Sequence, residues 1–228
     1  MVVVIVSNKK WNKSYSVQLQ EITGCEVIYL NQQELVTYEH LKQLSPRYIF
    51  FPHWSYIIPE KIYKNFECVI FHMTDLPFGR GGSPLQNLIS RGIYETKLTA
   101  IRCVKELDAG PIYLQRDLCL YGNAEKLYLR AAELSYHMML SILQGNIQPQ
   151  EQRGKIIAFK RRRPEESNIG GIVSLRQIFD YIRMLDAEGY PKAFIDTGKM
   201  HLEFERAALY DGYIKADVKI TIKEDTNE

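Results

Sequence analysis

Apolar and polar residues alternate along the first half of the chain in a pattern that predicts strands and helices in turn. Short apolar runs, rich in β-branched residues, are typical of buried strands and lie at residues 2–6, 25–30, 48–51 and 68–71. Segments with helical spacing separate these runs. Strands that alternate with helices favour a parallel sheet covered on both faces. The sequence therefore predicts an α/β fold with a Rossmann-like, doubly wound, mainly parallel sheet.

The second half of the chain predicts one more strand pair, a long helix and a small tail. Alternation over residues 97–107 predicts a long strand that ends at Asp108, and residues 124–143 predict a periodic helix capped by Asn123. After residue 146 the composition shifts to Gln, Pro and Arg, which indicates a linker. We expect a main domain over residues 1–150 and a small α+β subdomain over residues 151–228, with a helix at 174–185 and short antiparallel strands from residue 193.

Composition and charge exclude several classes of protein. The chain has 228 residues, 46% of them hydrophobic, and a formal net charge of +2, which gives no overall electrostatic attraction to nucleic acid. The amino-terminal apolar run is too short for a membrane span and lacks the features of a signal peptide. The four cysteines are scattered with no C-x-x-C pair, which favours free thiols in a reducing compartment. We expect a cytoplasmic protein with no membrane, nucleic-acid or metal partner.

Candidate chemistry is concentrated where the fourth strand ends. His72 and Asp75 follow that strand, and ligands of open α/β sheets bind beyond the carboxyl ends of the strands. The next residues, 79–82, read GRGG and predict a loop whose backbone a ligand can approach. Asp108, at the end of another predicted strand, could pair with His72 as an orienting carboxylate. The alternatives are a structural histidine and a plain surface turn.

Two further groups suggest a bound heterocycle or phosphate. Trp54 and Tyr56, flanked by His53 and Ser55, follow the third strand and could stack on a flat ring. The basic run at residues 160–163 could bind a diphosphate or could be a solvated strand end. The glycine stretch lacks the Lys-Ser/Thr ending of a P-loop, and no G-x-G-x-x-G follows the first strand.

Residues 1–145 resemble the formyltransferases that use 10-formyltetrahydrofolate, a family that includes methionyl-tRNA and nucleotide-sugar formyltransferases. The family core N-x-H-x-S-x-L-P is similar to residues 70–77, IFHMTDLP, and an R-G and a proline follow at Arg80-Gly81 and Pro84. The second family motif, L-D-x-G, is similar to residues 107–110, LDAG. Ile70 stands where the family has a catalytic asparagine, and isoleucine has no hydrogen-bond donor for an oxyanion.

The resemblance implies roles for individual residues. It implies that His72 and Asp108 are catalytic and that 10-formyltetrahydrofolate is the co-substrate. The residues implied for the folate pocket are His53, Trp54, Ser55, Tyr56, Ile58, Leu107 and Asp108. The residues implied for the second substrate are Met73, Thr74, Asp75, Gly79, Arg80, Gly81, Gly82 and Arg161. Asp75 replaces an apolar family position, so it either contacts the substrate or caps the loop.

The tail after residue 160 resembles the short tail of the sugar enzymes, which implies a nucleotide-linked aminosugar as acceptor, such as a UDP-4-amino-4,6-dideoxyhexose, and surface-glycan biosynthesis as the setting. We therefore expect an N-formyltransferase with a small-molecule nucleotide-sugar substrate, and a homodimer is one open alternative for its assembly. The alternatives are a non-catalytic folate or sugar-nucleotide binding module, because of Ile70, and a formyltransferase for another small amine. Formylation of RNA is disfavoured by the charge and the short tail.

Overall fold

The computed structural model describes residues 1–145 and 147–223. The strands are β1 (Val2–Val6), β2 (Glu26–Leu30), β3 (Tyr48–Phe51), β4 (Cys68–His72), β5 (Phe78–Gly81), β6 (Glu95–Arg102), β7 (Ile112–Cys119), β8 (Ile157–Phe159), β9 (Ala193–Asp196), β10 (Met200–Tyr210) and β11 (Tyr213–Ile222). The α-helices are α1 (Trp11–Thr23), α2 (Tyr38–Leu44), α3 (Glu60–Tyr63), α4 (Pro84–Ile89), α5 (Ala124–Gln144) and α6 (Leu175–Leu185).

A six-stranded sheet in the order β2-β1-β3-β4-β6-β7 is the largest of the three sheets described. The strands β2, β1, β3 and β4 pair in parallel, and β6 pairs with β4 in the antiparallel sense. Helices connect the parallel strands, as a β-α-β crossover requires. The predicted α/β fold with a mainly parallel sheet is confirmed.

Local signals in the sequence explain where the helices begin and end. Helix α1 ends at Gly24, which has φ +67°, a conformation that glycine adopts without steric cost. Helix α2 begins after Thr37, whose hydroxyl oxygen accepts a hydrogen bond from the backbone N–H of His40. Helix α5 begins after Asn123, whose Oδ1 accepts from the N–H of Lys126, as predicted.

Three predicted elements differ from those observed. The strand predicted over residues 97–107 ends at Arg102, so Asp108 does not end a strand. The predicted glycine loop is in part the strand β5, which pairs with β8, because pairing overrides the weak strand preference of glycine. The antiparallel strands from residue 193 are present, but β10 and β11 have 11 and 10 residues and are not short.

An apolar core lies against one face of the sheet. Side chains on alternate positions of β1 and β4, among them Val4, Val6 and Cys68, pack there with residues of β3 and α2. Ile70 and Trp54 are partly buried and pack against the same cluster. This core reaches the carboxyl ends of β3 and β4, where the candidate residues lie.

The described residues form two compact units, each built from several stretches of the chain. The first contains Met1–Gly81, Thr96–Leu118 and Leu129–Ala158, and the second contains Gly82–Glu95, Cys119–Tyr128 and Phe159–Glu228, of which residues 224–228 lie outside the described part. The predicted domain division near residue 150 stays a prediction. No helix in the described part of the chain has the length and apolarity to span a bilayer.

The second unit has a buried polar centre. Arg183, almost fully buried, donates to Asp180 and to the carbonyl oxygens of Leu120 and Gly122. Asp186 accepts from Lys192, Asn123 and the N–H of Arg206. Burial alone would raise the pKa of Asp186, but these hydrogen bonds lower it below its usual value.

Candidate active site

His72 is the last residue of β4, and its side chain is 8% exposed. Its Nε2 lies 2.8 Å from the carbonyl oxygen of Gly79 in β5. A carbonyl oxygen only accepts, so Nε2 bears the hydrogen of this bond. The hydroxyl of Thr74 is a second, longer donor to the same oxygen, at 3.4 Å. The ring is therefore oriented by the backbone of the glycine-rich strand.

Asp108 lies opposite the other ring nitrogen. Its Oδ2 is 3.5 Å from Nδ1 of His72 and accepts a 2.9 Å hydrogen bond from the N–H of Gly81. Its side chain is as buried as that of His72, so the pair is screened little by solvent. The structure thus brings together His72, Asp108, Gly79 and Gly81, which the sequence had separately suggested.

The route by which Asp108 reaches His72 differs from the prediction. Strand β6 is antiparallel to β4, and its last residue, Arg102, pairs with Val69, at the opposite end of β4 from His72. A strand continued to residue 107 would take Asp108 further from the histidine. Residues 103–111 instead form a loop, in which Asp108 has φ +53°. The carboxylate reaches the ring because the chain leaves the sheet.

Gln152 is a contact residue of this site that the sequence analysis did not identify. Its Nε2 donates to the carbonyl oxygens of Asp108 and Gly110, at 2.8 and 2.9 Å. Its Oε1 accepts from Nε and Nη2 of Arg80. No motif includes Gln152. It lies in the stretch that was interpreted as a linker, and the shift of composition to Gln, Pro and Arg is the only signal in that stretch.

Asp75 belongs to a polar network on the sheet beside His72. Its carboxylate is 3.2 Å from Nζ of Lys97 and accepts from Nε2 of Gln115 at 2.9 Å. The same Gln115 amide donates to the hydroxyl of Thr99, which donates to the carbonyl oxygen of Thr74. Asp75 and Lys97 are both more than a third exposed, so they are accessible to a ligand. A substrate contact and a role in fixing the loop both stay open for Asp75.

Two of the predicted substrate residues, which follow His72 in the chain, are enclosed. Met73 and Thr74 are buried, so their predicted substrate contact stays a prediction. Gly82 and Arg161 belong to the second unit, where a Cβ on Gly82 would lie 2.6 Å from the Cβ of Arg161. The glycine is needed there for close packing of the two backbones.

The predicted folate residues occupy the end of β3 and the loop that follows it. Trp54 packs against Phe51, and its ring centroid is 5.0 Å from that of Tyr56. Ser55 and Tyr56 are exposed, whereas Ile58 is buried in the apolar core. Leu107, in the loop before Asp108, is exposed. Tyr56 and Trp54 thus offer two partly open aromatic faces, tilted 58° to each other, and one such face suits the heterocycle of a folate.

The ring nitrogens of His53 are buried, although the residue as a whole is half-buried, and its backbone has φ +55°, an uncommon conformation for a residue with a side chain. The indole of Trp11 lies edge-on to its ring, with the centroids 6.0 Å apart. Burial, and to a lesser extent the charge of Lys9, lowers the pKa of His53 to about 4. His53 is therefore neutral at physiological pH.

No group of three or more His, Cys, Asp or Glu residues suited to a metal ion occurs in residues 1–145 and 147–223. The four cysteines described form no disulfide, and Cys25, Cys68 and Cys103 are buried while Cys119 is exposed. Burial raises the pKa of Cys103 to about 12, so its thiol stays protonated.

The mixed α/β fold, with its mainly parallel central sheet and its antiparallel carboxy-terminal sheet, matches the fold of formyltransferases. This chain belongs to the formyltransferase family. It is similar to the solved methionyl-tRNA formyltransferase from Clostridium thermocellum, with 46% identity and a TM-score of 0.95 over 98% of this chain and 100% of the other. Residues 164–221 match the family model described as the methionyl-tRNA formyltransferase C-terminal domain.

Other relatives are longer or more distant. The methionyl-tRNA formyltransferase of Thermotoga maritima is 34% identical over 131 residues, which are 54% of this chain and 41% of that protein. The chain thus spans about two fifths of the length of this curated relative. A sugar N-formyltransferase from Shewanella has 18% identity and a TM-score of 0.69, covers 95% of this chain and 96% of its own, and shows the shared fold. The formyltransferase family uses 10-formyltetrahydrofolate.

Proposed function

We propose that this chain is an N-formyltransferase that moves the formyl group of 10-formyltetrahydrofolate to a primary amine. The observation that supports the proposal is the contact of Asp108 Oδ2 with Nδ1 of a His72 ring whose Nε2 is held by Gly79. A base and its orienting carboxylate need this mutual geometry. The family resemblance of residues 70–77 and 107–110 assigns the same two residues.

The reaction forms one bond and breaks another. The amine nitrogen attacks the formyl carbon, a tetrahedral oxyanion forms, and the bond from that carbon to N10 of the folate then breaks. The proton that leaves the amine passes to the His72–Asp108 pair, and N10 of tetrahydrofolate takes up a proton as it departs. Asp108, fixed by the N–H of Gly81, orients the imidazole and stabilises it when it is doubly protonated.

The N–H groups near the pair determine how the oxyanion is stabilised. Ile70 offers no donor, and the Nε2–H of His72 is donated to Gly79 in this structure. If His72 binds the oxyanion, its N–H must turn from the Gly79 carbonyl to the formyl oxygen. A preorganised donor at such a position is typically worth about 2.7 to 4 kcal/mol of barrier.

Two acceptor classes follow from different observations. The nucleotide-linked aminosugar is the acceptor that the resemblance of the tail implies, and the small net charge agrees with a small-molecule substrate. The second candidate is the amine of methionyl-tRNA, favoured by the name of the 46% identical structure and by the family model over residues 164–221. These names run against the expectation of no nucleic-acid partner.

A formyl-transfer assay with both acceptor classes tests the proposal. Purified protein is mixed with 10-formyltetrahydrofolate and either a panel of nucleotide aminosugars or methionyl-tRNA, and the formyl gain of 28 Da, roughly, is measured by mass spectrometry. We expect transfer to one class, and a loss of about a hundredfold or more in His72→Asn and in Asp108→Asn. Folate binding without transfer to any amine would instead support the binding-module alternative.

A further inference from the structure

The side chain of Gln152 joins two segments of the candidate active site. Its amide N–H groups reach the carbonyl oxygens of Asp108 and Gly110, and its amide oxygen receives two N–H groups of Arg80. Arg80 lies in β5 between Gly79, which holds the ring of His72, and Gly81, which holds the carboxylate of Asp108. One side chain therefore connects the turn that bears Asp108 to the strand that orients both members of the pair.

The turn at Asp108 needs such support. Asp108 has φ +53°, a left-handed backbone that residues other than glycine adopt uncommonly. Such conformations persist only where surrounding contacts determine them. The two bonds from Gln152 hold the backbone on either side of Ala109, and the bond from Gly81 holds the carboxylate.

The chain positions Gln152 through its own backbone. Gln150 forms a two-bond bridge with Ile112, the first residue of β7, with N···O distances of 2.7 and 2.9 Å. Only Pro111 separates Ile112 from the Asp108–Gly110 turn, so Gln152 is fixed relative to the turn that it contacts. A primary amide is also the one neutral group at the tip of a side chain that offers two N–H donors together with a carbonyl acceptor.

We propose that Gln152 is a positioning residue for the transfer reaction: it holds the Asp108–Gly110 turn against β5 so that Oδ2 of Asp108 stays at Nδ1 of His72. The proposal rests on the proposed function, because it assigns Gln152 to the same catalytic pair. It concerns the placement of Asp108 and not contact with either substrate.

Two substitutions separate the donor role of Gln152 from its contact with Arg80. Gln152→Glu keeps an acceptor for Arg80 but turns a carboxylate oxygen toward two carbonyl oxygens. Gln152→Met keeps the length of the side chain and removes both interactions. Gln150→Met is the matched control, because it makes the same chemical change two residues away on an exposed side chain.

Steady-state kinetics give the first measurement. A misplaced catalytic group costs up to about a hundredfold, so we expect kcat to fall roughly tenfold to a hundredfold in both Gln152 variants, with the KM of each substrate within about twofold. Gln150→Met should keep the kcat of the wild type. A Gln152→Glu enzyme with the wild-type kcat would overturn the proposal, as would a change confined to KM.

The imidazole resonances of His72 give a second measurement that does not depend on turnover. They are recorded by ¹⁵N NMR on the full chain and assigned by their absence in His72→Asn. We expect them to shift in both Gln152 variants that retain a cooperative melting transition and to stay in place in Gln150→Met. Unshifted resonances in a folded Gln152 variant would refute the positioning role. If the wild type formylates no acceptor, the proposed function fails, and the spectra still decide the role of Gln152.

Discussion

Ile70 stands where the family motif has an asparagine, and its surroundings show an apolar role. It pairs with Phe51 of β3 and Ile101 of β6 in the sheet register and packs against the apolar core with Trp54. Residues two apart in a strand share a face, so Ile70 and His72 lie on the same side of β4. The core thus continues up to His72.

Replacing Ile70 by the asparagine of the family tests whether this position contributes to the chemistry. We expect Ile70→Asn to destabilise the fold by about 1–3 kcal/mol, because a half-buried amide lacks partners in an apolar cluster. We expect kcat to rise no more than about twofold. Thermal melting and the formyl-transfer assay measure the two effects, with Ile70→Val as the control.

The opposite result would change the interpretation of the site. A tenfold rise in kcat with an unchanged melting temperature would show that position 70 faces the reacting carbonyl and that an amide there stabilises the oxyanion. The apolar residue would then be the cause of a slow reaction and not a part of a rebuilt pocket.

At the scale of elements, the loop between β6 and β7 places Asp108 beside His72. The two ends of this loop lie side by side, because the N–H of Arg102 donates a hydrogen bond to the carbonyl oxygen of Pro111. Gly110 lies at this closure, where a Cβ would be 1.8 Å from the carbonyl oxygen of Arg102. No side chain fits there without a shift of the backbone.

Gly110→Ala should therefore displace the loop and with it Asp108. We expect kcat to fall by about tenfold or more, because Gly110 is two residues from Asp108 and its carbonyl is bonded to Gln152. The control is Gly171→Ala, since no atom would lie within 4 Å of a Cβ at that glycine. Equal kcat values for the two variants, measured in the same assay, would show that the loop accommodates the methyl group.

The sequence predicted the parallel strands and His72 because these depend on local patterns. Short apolar runs and a motif within eight residues are properties of neighbouring positions. The end of β6, the strand β5 and the role of Gln152 depend on contacts between distant segments, and local propensity does not contain that information. The alternation of apolar and polar residues continues after Arg102, but the chain leaves the sheet at that residue.

At the scale of the whole molecule, the buried ring nitrogens of His53 make the free energy of unfolding depend on pH. Its pKa falls from 6.5 to about 4 on folding, so between these values the unfolded chain binds a proton that the folded chain does not. The free energy of unfolding is therefore not reduced by this group above pH 6.5. It decreases as the pH falls from 6.5 to about 4, and the decrease ends below that. At about 1.36 kcal/mol for each pKa unit, the loss of folding free energy that this group causes at acid pH is at most roughly 3 kcal/mol.

Chemical denaturation at several pH values, compared between the wild type and His53→Asn, measures this contribution. Asparagine tolerates the positive φ at this position. We expect the variant to lose less stability than the wild type between pH 6.5 and 4, while both respond alike between pH 7 and 8. Parallel curves over the acidic range would show that His53 titrates in the folded protein as it does in the unfolded chain.

The contact between Gln152 and Asp108 joins residues 44 positions apart, and this separation has a consequence for synthesis in the cell. A chain grows from its amino terminus at about 5–20 residues per second, so Gln152 is added about 2 to 9 seconds after Asp108. During that interval His72 and the glycine strand already exist, but the turn that bears the carboxylate lacks its amide partner. The nascent chain therefore completes the strands of its six-stranded sheet before Gln152 can contact the turn at Asp108.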